Sequence, residues 1–289
     1  MKYAFVNSVL LDGSREMAPR TGLALLTDGE QIQAIVPATG DLSGYQKVDL
    51  KGGYLMPGLI NLHVHLPSSG KPKKQSDPRK AVKLVTSNPL FMKVGEMICA
   101  GAAKTQLMSG VTTIRTMGGV QDLDTRIRDK IGRGERKGPR ILAGNMAVSV
   151  EGGHMAESLA YVAHTPEEAA GYVKVIAQDK PDVIKLMITG GVLDATVKGE
   201  PGVLKMPPEF VRAACDAAHA LGLPVAAHVE SPEGVRVALQ NGVDTIEHGA
   251  KPDGEILELF KSRGASLVAT LSPALPYALF DRAESHISE

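Results

Sequence analysis

The sequence predicts an α/β chain: a (β/α)8 TIM barrel lacking its last βα unit, preceded by a small β unit. Three observations carry this reading. Residues 1–57 hold short apolar runs separated by turn signals, with no long helical period. After Pro57, short β-branched runs alternate with amphipathic stretches, the texture of repeated βα units around a parallel sheet. Seven such units follow at about 33 residues each, whereas a closed eight-unit barrel takes about 250 residues. The expected division is therefore 1–57 and 58–289.

In the first part the runs are KYAFVNSVLL, GLALLTDGEQIQAIVP and KVDLKGGYLMP, punctuated by Asp12-Gly13, Asp28-Gly29 and Gly52-Gly53. In the second, the expected strands are LINLHVHL (59–66), VTTIRTMG (111–118), RILAGN (140–145) and DVIKLMIT (182–189). PVAAHVE (224–230), DTIEHGA (244–250) and SLVATLS (266–272) complete the set. Between them, 165–178 opens with a Thr cap, a Pro at the first helical position and two glutamates in the first turn. The segment 207–222 closes on glycine, a common helix stop, and 88–110 has the apolar spacing of a long helix.

Composition narrows the function classes. An apolar share of 43% against 22% charged residues suffices for a real core. Lys plus Arg equals Asp plus Glu at 32 each, so charge gives no reason to expect a nucleic-acid or anionic-membrane partner. Cys99 and Cys215 form no spaced motif, so free thiols in a reducing compartment are expected. The opening MKYAFVNSVLLDGSRE has no signal-peptide core, and no run approaches a membrane span. A soluble, cytoplasmic protein acting on a small molecule is expected, with homo-oligomerisation left open.

Within GLINLHVHLP, His63 and His65 interrupt an apolar strand two positions apart. Residues i and i+2 of a strand share a face, so the two imidazoles aim together and can clamp one Zn²⁺. The bland alternative is a pair of strand-end histidines bonded to carbonyls. His228 and His248 lie near the ends of two further apolar strands, and Lys185 within a third. A buried, unpaired ammonium is unfavourable, so such a lysine tends to the neutral amine. A neutral amine can add CO₂ to form a carbamate, a bidentate anionic ligand. Each residue alone also reads as a satisfied core residue. Together they match a barrel whose strand ends supply one mouth.

PGLINLHVHL, VIKLMITGG, AAHVES and IEHGA, in this order and spacing, resemble the amidohydrolase superfamily. The nearest branch is that of Xaa-Pro dipeptidase-like and imidazolonepropionase-like amidohydrolases, which GVTTIRTMGG and EGGHM also resemble. The resemblance implies a metal-dependent TIM barrel beside a small β-sandwich made from both chain ends. It implies two divalent ions, with Zn²⁺ expected and Mn²⁺, Fe²⁺ or Co²⁺ compatible with the same donors. His63 and His65 would bind the more buried ion, carboxylated Lys185 would bridge, and His228 with His248 would bind the second. The expected reaction is hydrolysis of an amide or related C–N bond by metal-activated water. His154 in EGGHM matches a family histidine near the substrate, expected to orient the carbonyl or support the oxyanion; a structural loop role is the alternative.

Two departures from the family pattern stand out. Its aspartate at the end of the eighth strand has no counterpart: Asp281 follows the seventh strand too closely to take that role. A truncated chain, weakly active or inactive by itself, is the resulting expectation. Second, Glu230 follows His228 by two, where an aromatic or histidine is common. Facing the pocket it would favour a cationic or hydrogen-bond-donating substrate; facing out it would be a solvated strand end. The basic loop 67–80 points instead to an acidic substrate, or is simply solvated. A phosphotriesterase or lactonase on the same metals, and an inactive barrel kept as an interaction module, are the competing functions. His164, His219 and His286 receive no role.

Overall fold

In the computed structural model, which describes residues 1–68, 78–192 and 199–270, the N-terminal runs form six short strands. They are β1 (Lys2–Val6), β2 (Val9–Leu10), β3 (Leu23–Asp28), β4 (Gln31–Pro37), β5 (Gln46–Asp49) and β6 (Tyr54–Leu55). Burial alternates along β3, with Ala24 and Leu26 facing the core that Ala4 and Leu42 share. Gly29, at φ +57°, makes the tight turn that returns β3 antiparallel to β4. The strand order is β4-β3-β1-β5, with β2 and β6 paired separately. Contacts make Met1–Leu59 one compact unit and Ile60–Glu289 a second.

From the boundary onward the elements are β7 (Leu59–Val64), α1 (Pro78–Val85), α2 (Pro89–Met108), β8 (Val111–Thr116), α3 (Leu123–Gly132) and β9 (Arg140–Leu142). Then follow β10 (Ala147–Val150), β11 (Ala160–Ala163), α4 (Pro166–Ala177), β12 (Ile184–Met187), α5 (Pro208–His219) and β13 (Val225–Val229). The last described elements are α6 (Pro232–Gln240), β14 (Thr245–His248), α7 (Gly254–Arg263) and β15 (Ser266–Val268). All seven expected barrel strands are present, each shorter than its apolar run. Strands β10 and β11 are additions to the expected set. Each has only four residues, AVSV and AYVA, too few to establish a period before the intervening loop.

Caps define the helix starts. The side chains of Asn88, Thr165, Ser231 and Asp253 accept from the backbone N–H three residues on, at α2, α4, α6 and α7. Proline follows the cap in the first three, where its missing N–H is harmless. Among the described residues no helix is long and apolar enough to cross a membrane. Cys99 and Cys215 are free and buried.

One sheet runs β11-β10-β12-β13-β14-β15, with every pairing parallel, and another runs β7-β8-β9. Among the described residues no ladder joins the two sheets. Alternation sorts the side chains. Ile184, Leu186, Val225, Ala227, Val229 and Ile246 enter the core packed by α4 and α5. Lys185, His228 and Glu247 occupy the other parity of the same three strands. Likewise Val64 and Leu66 enter the second core, leaving His63 and His65 on the opposite face. Parallel register sets His228 beside Glu247 and Val229 beside His248.

Candidate metal centre

The described structure brings all five expected metal-ligating residues and His154 into one cluster. Neighbouring ring centroids are 5.2 Å apart for His63–His65, 4.8 Å for His63–His248, 4.7 Å for His228–His248 and 4.2 Å for His154–His228. The sequence separation spans His63 to His248, so only the tertiary fold brings them together.

His63 donates from Nδ1 to Glu247 Oε2 at 2.8 Å, and His65 from Nδ1 to the Gly118 carbonyl at 2.9 Å. Neither acceptor can donate in return: one is a carbonyl and the other an ionised carboxylate. Burial alone would raise the Glu247 carboxyl, but the His63 hydrogen bond and the Lys185 and Arg115 charges hold it at about 2. Both Nδ1 atoms therefore carry the ring proton, and each Nε2 presents a lone pair. Burial lowers the basicity of both rings, of His65 to about 3, which favours neutral imidazoles with one ring proton each. The two Nε2 atoms face each other at 3.3 Å. Two acceptors at that distance repel unless a cation lies between them. At Zn–N distances of about 2.0–2.1 Å they would subtend about 105–110° at an ion, near the tetrahedral angle. The donor set fits a divalent metal.

Lys185 is buried, and among the described residues its Nζ has no hydrogen-bond partner. Burial pushes its amine down to about 7, against the pull of Glu247. His228 donates from Nε2 to the Gly190 carbonyl at 2.8 Å, which leaves Nδ1 as its lone pair. His248 meets the Thr270 hydroxyl through Nδ1 at 2.7 Å. Burial, with Lys185 nearby, pushes the His248 ring down to about 3, and burial lowers His228 as well. Ligand atoms of His228, Glu230 and His248 all lie within 4.8 Å of one another. Glu230 is partly buried, with Oε1 3.6 Å from His228 Nε2, and burial raises its carboxyl to about 7. It is not a solvated strand end.

His154 lies in the loop between β10 and β11, buried and stacked on His228 at an interplanar angle of 25°. Gly191 makes room for it: a Cβ there would fall 2.0 Å from His154 Nδ1. His219 instead pairs with Asp244 at 2.9 Å on the surface, and His164 precedes α4; neither approaches the cluster's ring contacts. Asp281, His286 and residues 69–77 of the first barrel loop lie outside the described residues.

Sequence reasoning missed Arg115 and Glu247. Arg115 donates from Nη2 to Glu247 Oε1 at 2.7 Å, from Nε to the Leu62 carbonyl at 2.9 Å and from Nη1 to Thr245 Oγ1 at 3.2 Å. The signal was available: each is a charge inside an apolar strand, the argument that singled out Lys185. Glu247 and His248 are adjacent and would face opposite ways on a regular strand. At His248 the backbone enters the left-handed region, φ +67°, so both side chains serve one cluster.

The chain matches the amidohydrolase family over residues 54–282. The ochratoxinase of Aspergillus niger is 25% identical over 242 residues, 75% of this chain and 48% of that protein. The chain thus spans about half the length of that curated relative. A crystal structure from Bifidobacterium longum that carries a prolidase assignment is 33% identical, with a TM-score of 0.77 over 100% of this chain and 65% of its own. A Xaa-Pro dipeptidase solved with methionine in its active site is 28% identical, with a TM-score of 0.77 over 94% of this chain and 67% of its own. The chain belongs to the amidohydrolase family, and its structural neighbours include members of the Xaa-Pro dipeptidase branch.

Proposed function

We propose that this chain is a metal-dependent hydrolase that cleaves a C–N bond, amide or peptide-like, in a small molecule. The observation that carries the reading is the facing pair of Nε2 lone pairs beside a buried amine that has no partner among the described residues, all in one histidine cluster. His63 and His65 would hold one divalent ion and His228 with His248 a second, Zn²⁺ being the expected metal. Lys185, its amine pushed down to about 7 by burial, is the amine suited to carboxylation, and its carbamate would bridge the pair. Bound metal would supply a water acidic enough to ionise near neutral pH and a Lewis acid for the substrate carbonyl.

The chain's own residues supply the rest. His154, fixed against the His228 ring, would orient the carbonyl and donate a hydrogen bond as charge develops on its oxygen. Glu230, beside His228, would accept a hydrogen bond from an N–H of the substrate. The dipeptidase among the structural neighbours supports a peptide-like substrate. The same reading takes the second unit as the hydrolase barrel, the N-terminal strands as part of a β-sandwich, and the cytoplasm as the setting.

The test is metal analysis of the purified chain reloaded with Zn²⁺, paired with amine release from Xaa-Pro dipeptides, N-acyl amino acids and cyclic amides. Lactones and phosphotriesters serve as the competing substrates. Zn²⁺ loading that His63→Ala abolishes, with C–N cleavage above the other arms, supports the proposal. Equal loading of wild type and His63→Ala would sink it.

A further inference from the structure

Glu247 stands outside the ligand set above, yet it is fully buried and each oxygen has a fixed duty. Oε1 accepts from Arg115 Nη2 at 2.7 Å and from the Thr245 hydroxyl at 3.0 Å, while Oε2 accepts from His63 Nδ1 at 2.8 Å. Arg115 also holds the Leu62 carbonyl, one residue before His63. One buried ion pair thus ties β14, which ends in His248, through β8 to β7, which carries His63.

We propose that Arg115 and Glu247 are positioning residues that set the tautomer of His63. Arg115 determines which oxygen of Glu247 is left for His63, and that oxygen holds the ring proton on Nδ1. The Nε2 lone pair is thereby aimed at His65. The role in metal binding rests on the hydrolase reading; the tautomer does not.

The chemistry of glutamine makes the inference testable. In Glu247→Gln the amide oxygen has to stay where Arg115 and Thr245 donate, because an NH₂ there would face the guanidinium's own N–H. The amide nitrogen then faces His63 Nδ1 and donates to it, so the ring proton moves to Nε2. That nitrogen now presents N–H to the centre and can no longer ligate. Adding Arg115→Met lifts the restriction: the amide can turn and offer its oxygen to Nδ1. A second substitution in the buried pair should therefore repair the first.

Histidine ¹⁵N NMR of the metal-free protein reads the tautomer, and chelator competition reads Zn²⁺ affinity. Nδ1–H is expected in the wild type and Nε2–H in Glu247→Gln, with affinity lower by about 10–100-fold. Both readouts should recover in Arg115→Met/Glu247→Gln. If that pair does not fold, Arg115→Gln/Glu247→Gln replaces it with the same expectation. A purely structural role would leave the double variant no better than the single one, and that result overturns the proposal. So does a His63 that keeps Nδ1–H in Glu247→Gln. A wild type that binds no Zn²⁺ overturns the hydrolase reading instead, and the tautomer series then decides this one.

Discussion

On the β7 side of the cluster, each histidine is anchored through Nδ1 to a group that only accepts, Glu247 for His63 and the Gly118 carbonyl for His65. On the β13–β14 side the anchors are mixed. His228 is held by the Gly190 carbonyl, but His248 meets the Thr270 hydroxyl, which can donate or accept, and Glu230 is only partly buried. The difference is one of preorganisation. The first side fixes both ligand atoms before any ion arrives, while the second leaves a tautomer and a carboxyl proton to be settled on binding. Second-sphere hydrogen bonds that fix a ligand's tautomer raise metal affinity, so the two sides should differ in strength.

The largest effect should separate them directly. His63→Ala is expected to remove the tighter Zn²⁺ and His228→Ala the weaker one, read by calorimetric titration of the metal-free protein. Equal losses would break the comparison. Next comes Gly191→Ala, whose Cβ needs the space of the His154 ring. Hydrolysis should fall by up to about 10²-fold, with any loss of Zn²⁺ confined to the His228 side, because the displaced His154 ring stacks on His228 and on neither β7 histidine.

Asp124 sharpens the β7 side. It is fully buried, its Oδ1 has no partner among the described residues, and it packs against Gly119, the neighbour of the carbonyl that holds His65. Burial raises its carboxyl from 3.8 to about 6, so the folded state binds a proton that the unfolded state releases between these values. Its contribution to stability is complete below pH 3.8 and is lost as pH rises to about 6. Asp124→Asn, which mimics the neutral acid, should therefore gain about 2 kcal/mol relative to wild type on going from pH 4 to pH 7 in urea melts. A constant difference would contradict the buried-acid account. The smallest expected effect is a control distant in kind: Ser231→Ala, which removes the α6 cap, should lower stability by about 1 kcal/mol and leave Zn²⁺ affinity unchanged.

How far the sequence reveals this arrangement depends on whether a local period carries the information. His63, His65, Lys185 and His228 are legible because strand alternation alone separates them from the core-facing residues beside them. His248 escapes that logic: it shares the core-facing parity of Ile246, and only its positive φ turns the ring to the cluster. Gly191 escapes it because its partner, His154, arrives from a distant loop. Strand ends were overextended for a related reason. The run 111–118 stops at Thr116, ahead of Gly118 at φ +128°, and 140–145 stops at Leu142, ahead of Asn145 at φ +55°. The first turn carries the Gly118 carbonyl that holds His65, and the Asn145 carbonyl accepts from the Gly119 N–H beside it, so tertiary demands override the apolar pattern.

The most direct measurement is anomalous diffraction at the zinc edge from crystals of the chain loaded with Zn²⁺. The account predicts a peak between the Nε2 atoms of His63 and His65, with both Nδ1 contacts intact. Zinc bound only elsewhere, or those two nitrogens turned from a common point, would contradict it.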